Sequence, residues 1–206
     1  MPPTIAQERI RPLFTLLLSL VLLPTAPVPV AAQRPTASGP TASVDPFEDR
    51  GWHLEISTDL ALETWNYNGN REEMYGVVTG FTYGLREGLV LTATGPLYYI
   101  SQRGPDAFLL GSTFGVRGRI FRAGKTTGFV EFQVGISQAD THTPPRGTRF
   151  NYLALGGVGV IIPARANTHL LAGLKWVHVS NASLAGRDRN PDIEAIGPRI
   201  GVLVGF

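Results

Sequence analysis

A histidine and a serine stand two residues apart in the stretch WVHVSNASLAG, residues 176–186, and an amide follows them at once. A serine hydroxyl beside an imidazole is the pair that cleaves esters by nucleophilic attack, because the histidine takes the hydroxyl proton as the oxygen attacks. A carboxylate that orients the ring completes this arrangement. His178 and Ser180 are therefore candidate catalytic residues, and the elements around them must supply the acid.

Side-chain alternation predicts which residues share a face with this pair. In the strand that ends at Ser180, His178 and Ser180 lie on one face and Lys175 lies on the opposite one. In the last strand Glu194 alternates onto the face opposite Arg199. Neighbouring antiparallel strands joined by one loop can bring such residues within side-chain reach, so Glu194 is the predicted acid. Asp192 has the same parity and is its rival.

From Gly51 onward the chain alternates apolar and polar residues with little helical periodicity, which is typical of β-strands. Most of the eight predicted strands have 11 to 14 residues. A strand that crosses an outer membrane needs about 9 to 11 residues, whereas a soluble sandwich uses about 5 to 6. Short turns also alternate with longer polar loops. The sequence thus predicts an all-β fold, an eight-stranded antiparallel up-and-down transmembrane β-barrel. The strands are 52–62, 74–84, 89–100, 108–121, 128–138, 149–162, 167–180 and 193–206.

Charged residues in mid-strand indicate which face is the interior. In a small barrel such residues point inward and pair, and we expect this of Glu55, Glu131, Arg117 and Arg119. Lys175 and Arg199 belong to the interior by the same reasoning, so His178, Ser180 and Glu194 lie on the lipid-facing surface near the long loops. An ionisable group there is costly unless it functions or lies at the membrane boundary.

The segments before Gly51 are not predicted to belong to the barrel. Residues 1–32 have two arginines, an 11-residue apolar run and small residues suited to cleavage, as in a signal peptide. Residues 33–50 are rich in Pro, Ser, Thr and Ala and are expected to be a flexible lead-in. Residues 51–206 form the barrel domain. The chain has no cysteine, and loss of the signal lowers its formal charge from +2 to +1, which indicates no nucleic-acid partner.

The segments HVSNASL and NPDIEAIG, residues 178–184 and 190–197, resemble the signature of the PagL-type lipid A 3-O-deacylases. The resemblance implies an eight-stranded outer-membrane esterase in which His178 is the base, Ser180 the nucleophile and Glu194 the acid. It also implies that Asn181 donates to the oxyanion. Asp192 stands where the family usually has glycine, and the acid position also varies within the family.

These observations predict a hydrolase that removes an ester-linked acyl chain, the 3-O-linked one, from lipid A or lipopolysaccharide in the Gram-negative outer membrane. No cofactor and no metal site is expected, since His142 and His169 have no partners at ligand spacing. A homodimer is left open. The alternative is a structural or adhesive barrel without catalysis, with its functional residues in the loops, chiefly residues 139–148.

Overall fold

The computed structural model describes residues 45–64 and 71–206. Eight antiparallel strands pair in chain order and β8 pairs with β1, so the sheet closes on itself. The predicted eight-stranded up-and-down barrel is confirmed. The strands are β1 (Trp52–Glu63), β2 (Glu73–Arg86), β3 (Leu89–Ser101), β4 (Ala107–Ala123), β5 (Thr126–Thr143), β6 (Thr148–Arg165), β7 (Thr168–Ser180) and β8 (Ile193–Gly205).

The strands are long because alternation continues past the predicted limits in the middle of the chain. β5 and β6 have 18 residues each. They continue beyond a register shift between Gln138 and Thr143, so the connection between them shrinks to residues 144–147. Most of the segment expected to be a functional loop, residues 139–148, is therefore strand. The longest fully described connection, residues 181–192, follows β7 instead.

A layer of buried charged side chains crosses the middle of the barrel interior. Arg117 Nη2 lies 2.8 Å from Glu55 and 2.6 Å from Glu131, and Arg199 also pairs with both carboxylates. Lys175 Nζ lies 2.7 Å from Asp59. Three carboxylates thus face three cations, which compensates the cost of burying each charge. The layer consists of Glu55, Asp59, Arg117, Glu131, Lys175 and Arg199.

Arg119 does not belong to this layer, contrary to the prediction. Its Nη1 lies 3.2 Å from Asp45 and its Nη2 lies 2.7 Å from Glu87. Arg119 lies opposite the buried Phe129, so it keeps the inward parity of β4, but it lies close to the short turn and its side chain reaches partners at the end of the barrel. Parity along β4 predicted its face but not these partners.

Apolar side chains fill the interior on both sides of the charged layer. Toward the long loops, Tyr98, Leu109, Leu153 and their neighbours form a fully buried cluster. Toward the short turns, a second cluster includes Phe129, Leu171 and Phe47. Phe47 precedes β1 and is 0% exposed. The interior is thus packed with side chains along its length, as expected for a barrel of this size.

Phe47 corrects one expectation for the segment before the barrel. Residues 45–50 form turns against the barrel end, and Arg50 N and Gly84 N bond to Gly84 O and Gly51 O at 2.8 Å each. The segment is ordered because its single aromatic residue, Phe47, packs on the apolar cluster at the short-turn side of the charged layer. The rest of the segment is poor in large apolar groups. The predicted signal, residues 1–32, and the rest of the lead-in lie outside the described residues. Within the described ranges, no helix is long and apolar enough to cross a bilayer.

Candidate active site

The predicted catalytic residues lie on the outer wall of the barrel, where β7 ends and β8 begins. Lys175 and Arg199 are buried in the interior, while Leu174 and Ile200 on the same strands are exposed. Alternation from these residues places His178 and Glu194 outside, as predicted, and the pairing of β7 with β8 sets them directly opposite each other. Directly opposed residues in an antiparallel sheet have side chains within contact distance.

The three side chains form a continuous hydrogen-bonded relay. His178 Nδ1 lies 2.6 Å from Glu194 Oε1, and His178 Nε2 lies 2.9 Å from Ser180 Oγ. With Nδ1 protonated, the ring donates to the carboxylate and its Nε2 can accept the serine proton. This is the order of groups that activates a serine hydroxyl for attack on an acyl carbon.

The side chains of the relay are largely, but not fully, buried. Ser180 is 8% exposed, and the side chains of His178 and Glu194 are 25% and 21% exposed. Tyr152 is the cross-strand partner of Ser180 on β6, and the following loop contains Leu184, which is 70% exposed. Polar groups that can react therefore lie on a wall otherwise lined with apolar side chains.

Asn181 follows the serine and is buried, and its polar groups are directed at the loop. Its backbone N donates to Asn190 Oδ1 at 2.9 Å, and its side-chain Nδ2 donates to Arg189 O at 2.5 Å. These bonds hold the two arms of the 181–192 loop together. One Nδ2 hydrogen is used in the bond to Arg189 O, so the predicted role of Asn181 as an oxyanion donor depends on the other Nδ2 hydrogen.

The loop after Asn181 turns sharply and returns to the site. Ala182 and Ser183 adopt φ of 51° and 62°, in the left-handed region that non-glycine residues rarely occupy. Asn190 then donates from Nδ2 to Ser183 Oγ at 3.3 Å while its oxygen accepts from Asn181. Sequence reasoning did not single out Asn190, although it lies in the quoted NPDIEAIG segment. Its asparagine–proline pair is the signal that could have drawn attention to it.

Asp192, the rival acid, lies near the relay, in which Glu194 Oε1 is the oxygen 2.6 Å from His178 Nδ1. His178, Asp192 and Glu194 can each offer one ligand atom, and these atoms lie within 4.8 Å of one another. A divalent cation could be held there by one nitrogen and two oxygens. It would compete with the bond between His178 Nδ1 and Glu194 Oε1, which already joins two of the three groups.

Trp176 also contacts the site, a contact that the sequence did not predict. Its indole Nε1 donates to Glu194 Oε2 at 2.6 Å. Its ring stacks on that of His178, with centroids 5.9 Å apart and planes 22° apart. The signal in the sequence was its position two residues before His178 on the same face.

The fold and this site define a class: a membrane-spanning barrel with a hydrogen-bonded serine, histidine and carboxylate on its outer wall. The sequence matches the model of the lipid A 3-O-deacylase (PagL) family over residues 39–202. The chain belongs to that family. No curated protein sequence matches it significantly.

Solved structures of outer-membrane barrels resemble the chain in fold. OprG from Pseudomonas aeruginosa is 9% identical, with a TM-score of 0.51 over 78% of this chain and 98% of OprG. The crystal structure of the outer-membrane enzyme PagL is 16% identical, with a TM-score of 0.47 over 74% of this chain and 98% of that enzyme. AlkL in lipid bilayers is 10% identical, with a TM-score of 0.46 over 86% of this chain and 97% of AlkL.

The family and the barrel together make this chain an integral outer-membrane protein, and the activity of the family is lipid A deacylation. The resemblance seen in the two short segments around the site is confirmed by the family match, which covers most of the chain. None of the comparisons supports the homodimer that the sequence left open.

Proposed function

We propose that this chain is a serine esterase that hydrolyses the 3-O-linked acyl chain of lipid A, with Ser180, His178 and Glu194 as its catalytic residues. The observation that supports it most is the unbroken relay from Glu194 Oε1 through both nitrogens of His178 to Ser180 Oγ, with distances of 2.6 and 2.9 Å. A proton can be transferred along hydrogen bonds of these lengths.

The first half of the reaction forms an acyl-enzyme. Ser180 Oγ bonds to the acyl carbonyl carbon while its proton passes to His178 Nε2, and the carbonyl oxygen becomes an oxyanion. Glu194 stabilises the imidazolium so formed. When the tetrahedral species collapses, the bond from carbon to the sugar oxygen breaks and that oxygen takes the proton from Nε2. Asn181 would donate to the oxyanion through its second Nδ2 hydrogen, with backbone N–H groups beside it.

The second half releases the fatty acid. Water attacks the acyl carbon and gives a proton to Nε2, and Ser180 leaves with that proton. The products are a fatty acid and a free sugar hydroxyl, so the histidine and serine return to their starting states. The partial exposure of the relay leaves access for this water.

The position of the site fits a substrate that is itself a membrane lipid. The relay opens on the outer wall near the 181–192 loop, and lipid A can reach it by lateral diffusion within its leaflet. Tyr152, opposite Ser180 on β6, and Leu184, in the loop after β7, present exposed apolar surface along which acyl chains would lie. The ester then reaches Ser180 without leaving the bilayer.

The test compares lipid A from cells that express the wild-type protein, Ser180→Ala, or Ser112→Ala, by mass spectrometry. Ser112 is an exposed serine on the outer wall of β4 and serves as the matched control. We expect loss of one acyl chain with the wild type and Ser112→Ala, and intact lipid A with Ser180→Ala. Heat-modifiable gel mobility reports that each variant is folded. Deacylation by folded Ser180→Ala would exclude the serine mechanism.

The acyl position has its own test. A synthetic lipid A that carries an ether in place of the 3-O ester cannot lose that chain by hydrolysis. We expect the purified protein to leave this analogue unchanged while it deacylates the matched ester. Release of any fatty acid from the ether analogue would show that a different position is cleaved.

A further inference from the structure

Both oxygens of the Glu194 carboxylate are held by neighbours on β7. Oε1 lies 2.6 Å from His178 Nδ1, and Oε2 accepts from Trp176 Nε1 at 2.6 Å. The strand pairing explains this geometry, because His178 lies directly opposite Glu194 while Trp176 lies opposite Ile196, one outward position along. Trp176 therefore reaches Glu194 along the diagonal, a distance that a large aromatic side chain can span.

Breaking this hydrogen bond would cost free energy. Its N–H is a donor only, and an unsatisfied N–H facing lipid carries a desolvation cost. Glu194 provides a charged acceptor, which makes the hydrogen bond short and strong. The same bond limits rotation of the carboxylate, so Oε1 stays directed at the histidine ring.

A glycine on the adjacent strand lets the indole lie close to the wall. Gly156 is the β6 partner of Trp176 and belongs to the outer face. A Cβ built on Gly156 would lie 3.3 Å from Trp176 Cε3, a close contact that would require the ring to shift by a few tenths of an ångström. Gly118 also lies on the outer face, on β4, and a Cβ on it would meet no heavy atom within 4 Å.

We propose that Trp176 is a positioning residue for the carboxylate of Glu194, and that Gly156 provides the space in which its indole lies. Trp176 acts on the reaction through Glu194, to which its N–H donates, and through His178, on which its ring stacks. The inference rests on the proposed function for its effect on rate, but the hydrogen bond itself can be measured without any reaction.

The kinetic test replaces Trp176 by phenylalanine, which keeps an aromatic ring and removes the N–H donor. We expect kcat for lipid A deacylation to fall roughly 10- to 100-fold, the size of effect that misplacement of a catalytic group produces, with KM changed less than about threefold. Trp52→Phe is the matched control, because Trp52 lies on the outer wall at the start of β1, at the end of the barrel away from the site. We expect this variant to leave both constants unchanged. A Trp176→Phe enzyme with wild-type kcat, or with a change in KM alone, would overturn the proposal.

The spectroscopic test observes the indole N–H directly by NMR in detergent micelles. The chain has three tryptophans, so single phenylalanine variants assign each indole resonance. We expect Glu194→Gln to move the Trp176 indole proton upfield, because a charged acceptor becomes neutral, and Asp192→Asn to leave it in place. An indole proton indifferent to Glu194→Gln would refute the contact. This readout stays interpretable even if Ser180 proves not to be the nucleophile.

The glycine is tested by a matched pair. Gly156→Ala should lower kcat and shift the Trp176 indole resonance, whereas Gly118→Ala should change neither. Heat-modifiable mobility and the NMR spectrum show that both variants fold. Equal behaviour of the two alanine variants would remove Gly156 from the proposal.

Discussion

Replacing Glu194 by glutamine removes the negative charge 2.6 Å from His178 Nδ1 and one of the two acceptor oxygens. The amide keeps the size of the side chain and still has an oxygen that can accept from Nδ1. The charge matters because the histidine becomes an imidazolium in the transition state. In a buried triad, loss of the acid costs about 10⁴ in turnover, or about 5.5 kcal/mol at 1.36 kcal/mol per decade.

The exposure of this relay lowers that figure. Glu194 and His178 have side chains 21% and 25% exposed, so water screens part of the attraction between carboxylate and imidazolium. We therefore expect Glu194→Gln to reduce kcat by about 10² to 10⁴, which corresponds to about 3 to 5.5 kcal/mol. The lower end applies if the loop leaves water in contact with both groups.

The assay measures initial rates of fatty-acid release from lipid A in mixed micelles, with the folded fraction quantified by heat-modifiable mobility. Asp192→Asn is the control, since Asp192 is the nearby carboxylate and Glu194 is the predicted acid, with Oε1 2.6 Å from Nδ1. We expect it to stay within about threefold of the wild type, an effect below 1 kcal/mol. A crippled Asp192→Asn beside a nearly normal Glu194→Gln would refute the assignment of the acid.

The remaining predictions concern the barrel that supports the site. Glu131→Gln leaves two buried arginines short of a carboxylate and should lower the free energy of unfolding by about 3 to 5 kcal/mol, measured by urea titration in vesicles; an unchanged midpoint would contradict this. Phe47→Ala should cost about 3 kcal/mol in the same titration and make the segment before β1 sensitive to protease, which an undocked segment would be already. Single cysteines at Leu174 and Lys175, carrying a fluorescent label, should be quenched by nitroxide-labelled lipid and protected from it, respectively, and the reverse result would place the relay inside the barrel. A chelator of divalent cations should leave the deacylation rate unchanged, and loss of activity would instead assign His178, Asp192 and Glu194 to a metal site.

Alternation was sufficient to predict the barrel and the face of each site residue. Because side chains in a strand alternate with a period of two, Lys175 and Arg199 as interior residues determined the outward position of His178 and Glu194. That inference requires an unbroken register, and the pairing of β7 with β8 has no shift between Thr168 and Val179. Parity does not predict which partner a side chain finds, since Arg119 has the inward parity but pairs with Asp45 and Glu87 at the end of the barrel.

Contacts that depend on rotamers and on docked segments could not be predicted in this way. The bond from Trp176 to Glu194 runs diagonally between strands, and the indole also lies close to Gly156 on a third strand. Phe47 lies in a stretch whose composition indicates no regular structure, and its docking depends on an apolar cluster built from five strands. Neither feature has a periodic signal in the sequence.

The outward position of Ser180 has a consequence for how the enzyme responds to its substrate. Encounters between the relay and an ester take place in two dimensions, so the rate depends on the mole fraction of lipid A in the surrounding lipid or detergent. Adding inert detergent at a constant bulk concentration of lipid A should slow the reaction, whereas diluting enzyme-bearing vesicles with buffer should leave turnover per molecule unchanged. In the cell, the packing density of the leaflet would then govern activity as directly as the amount of protein.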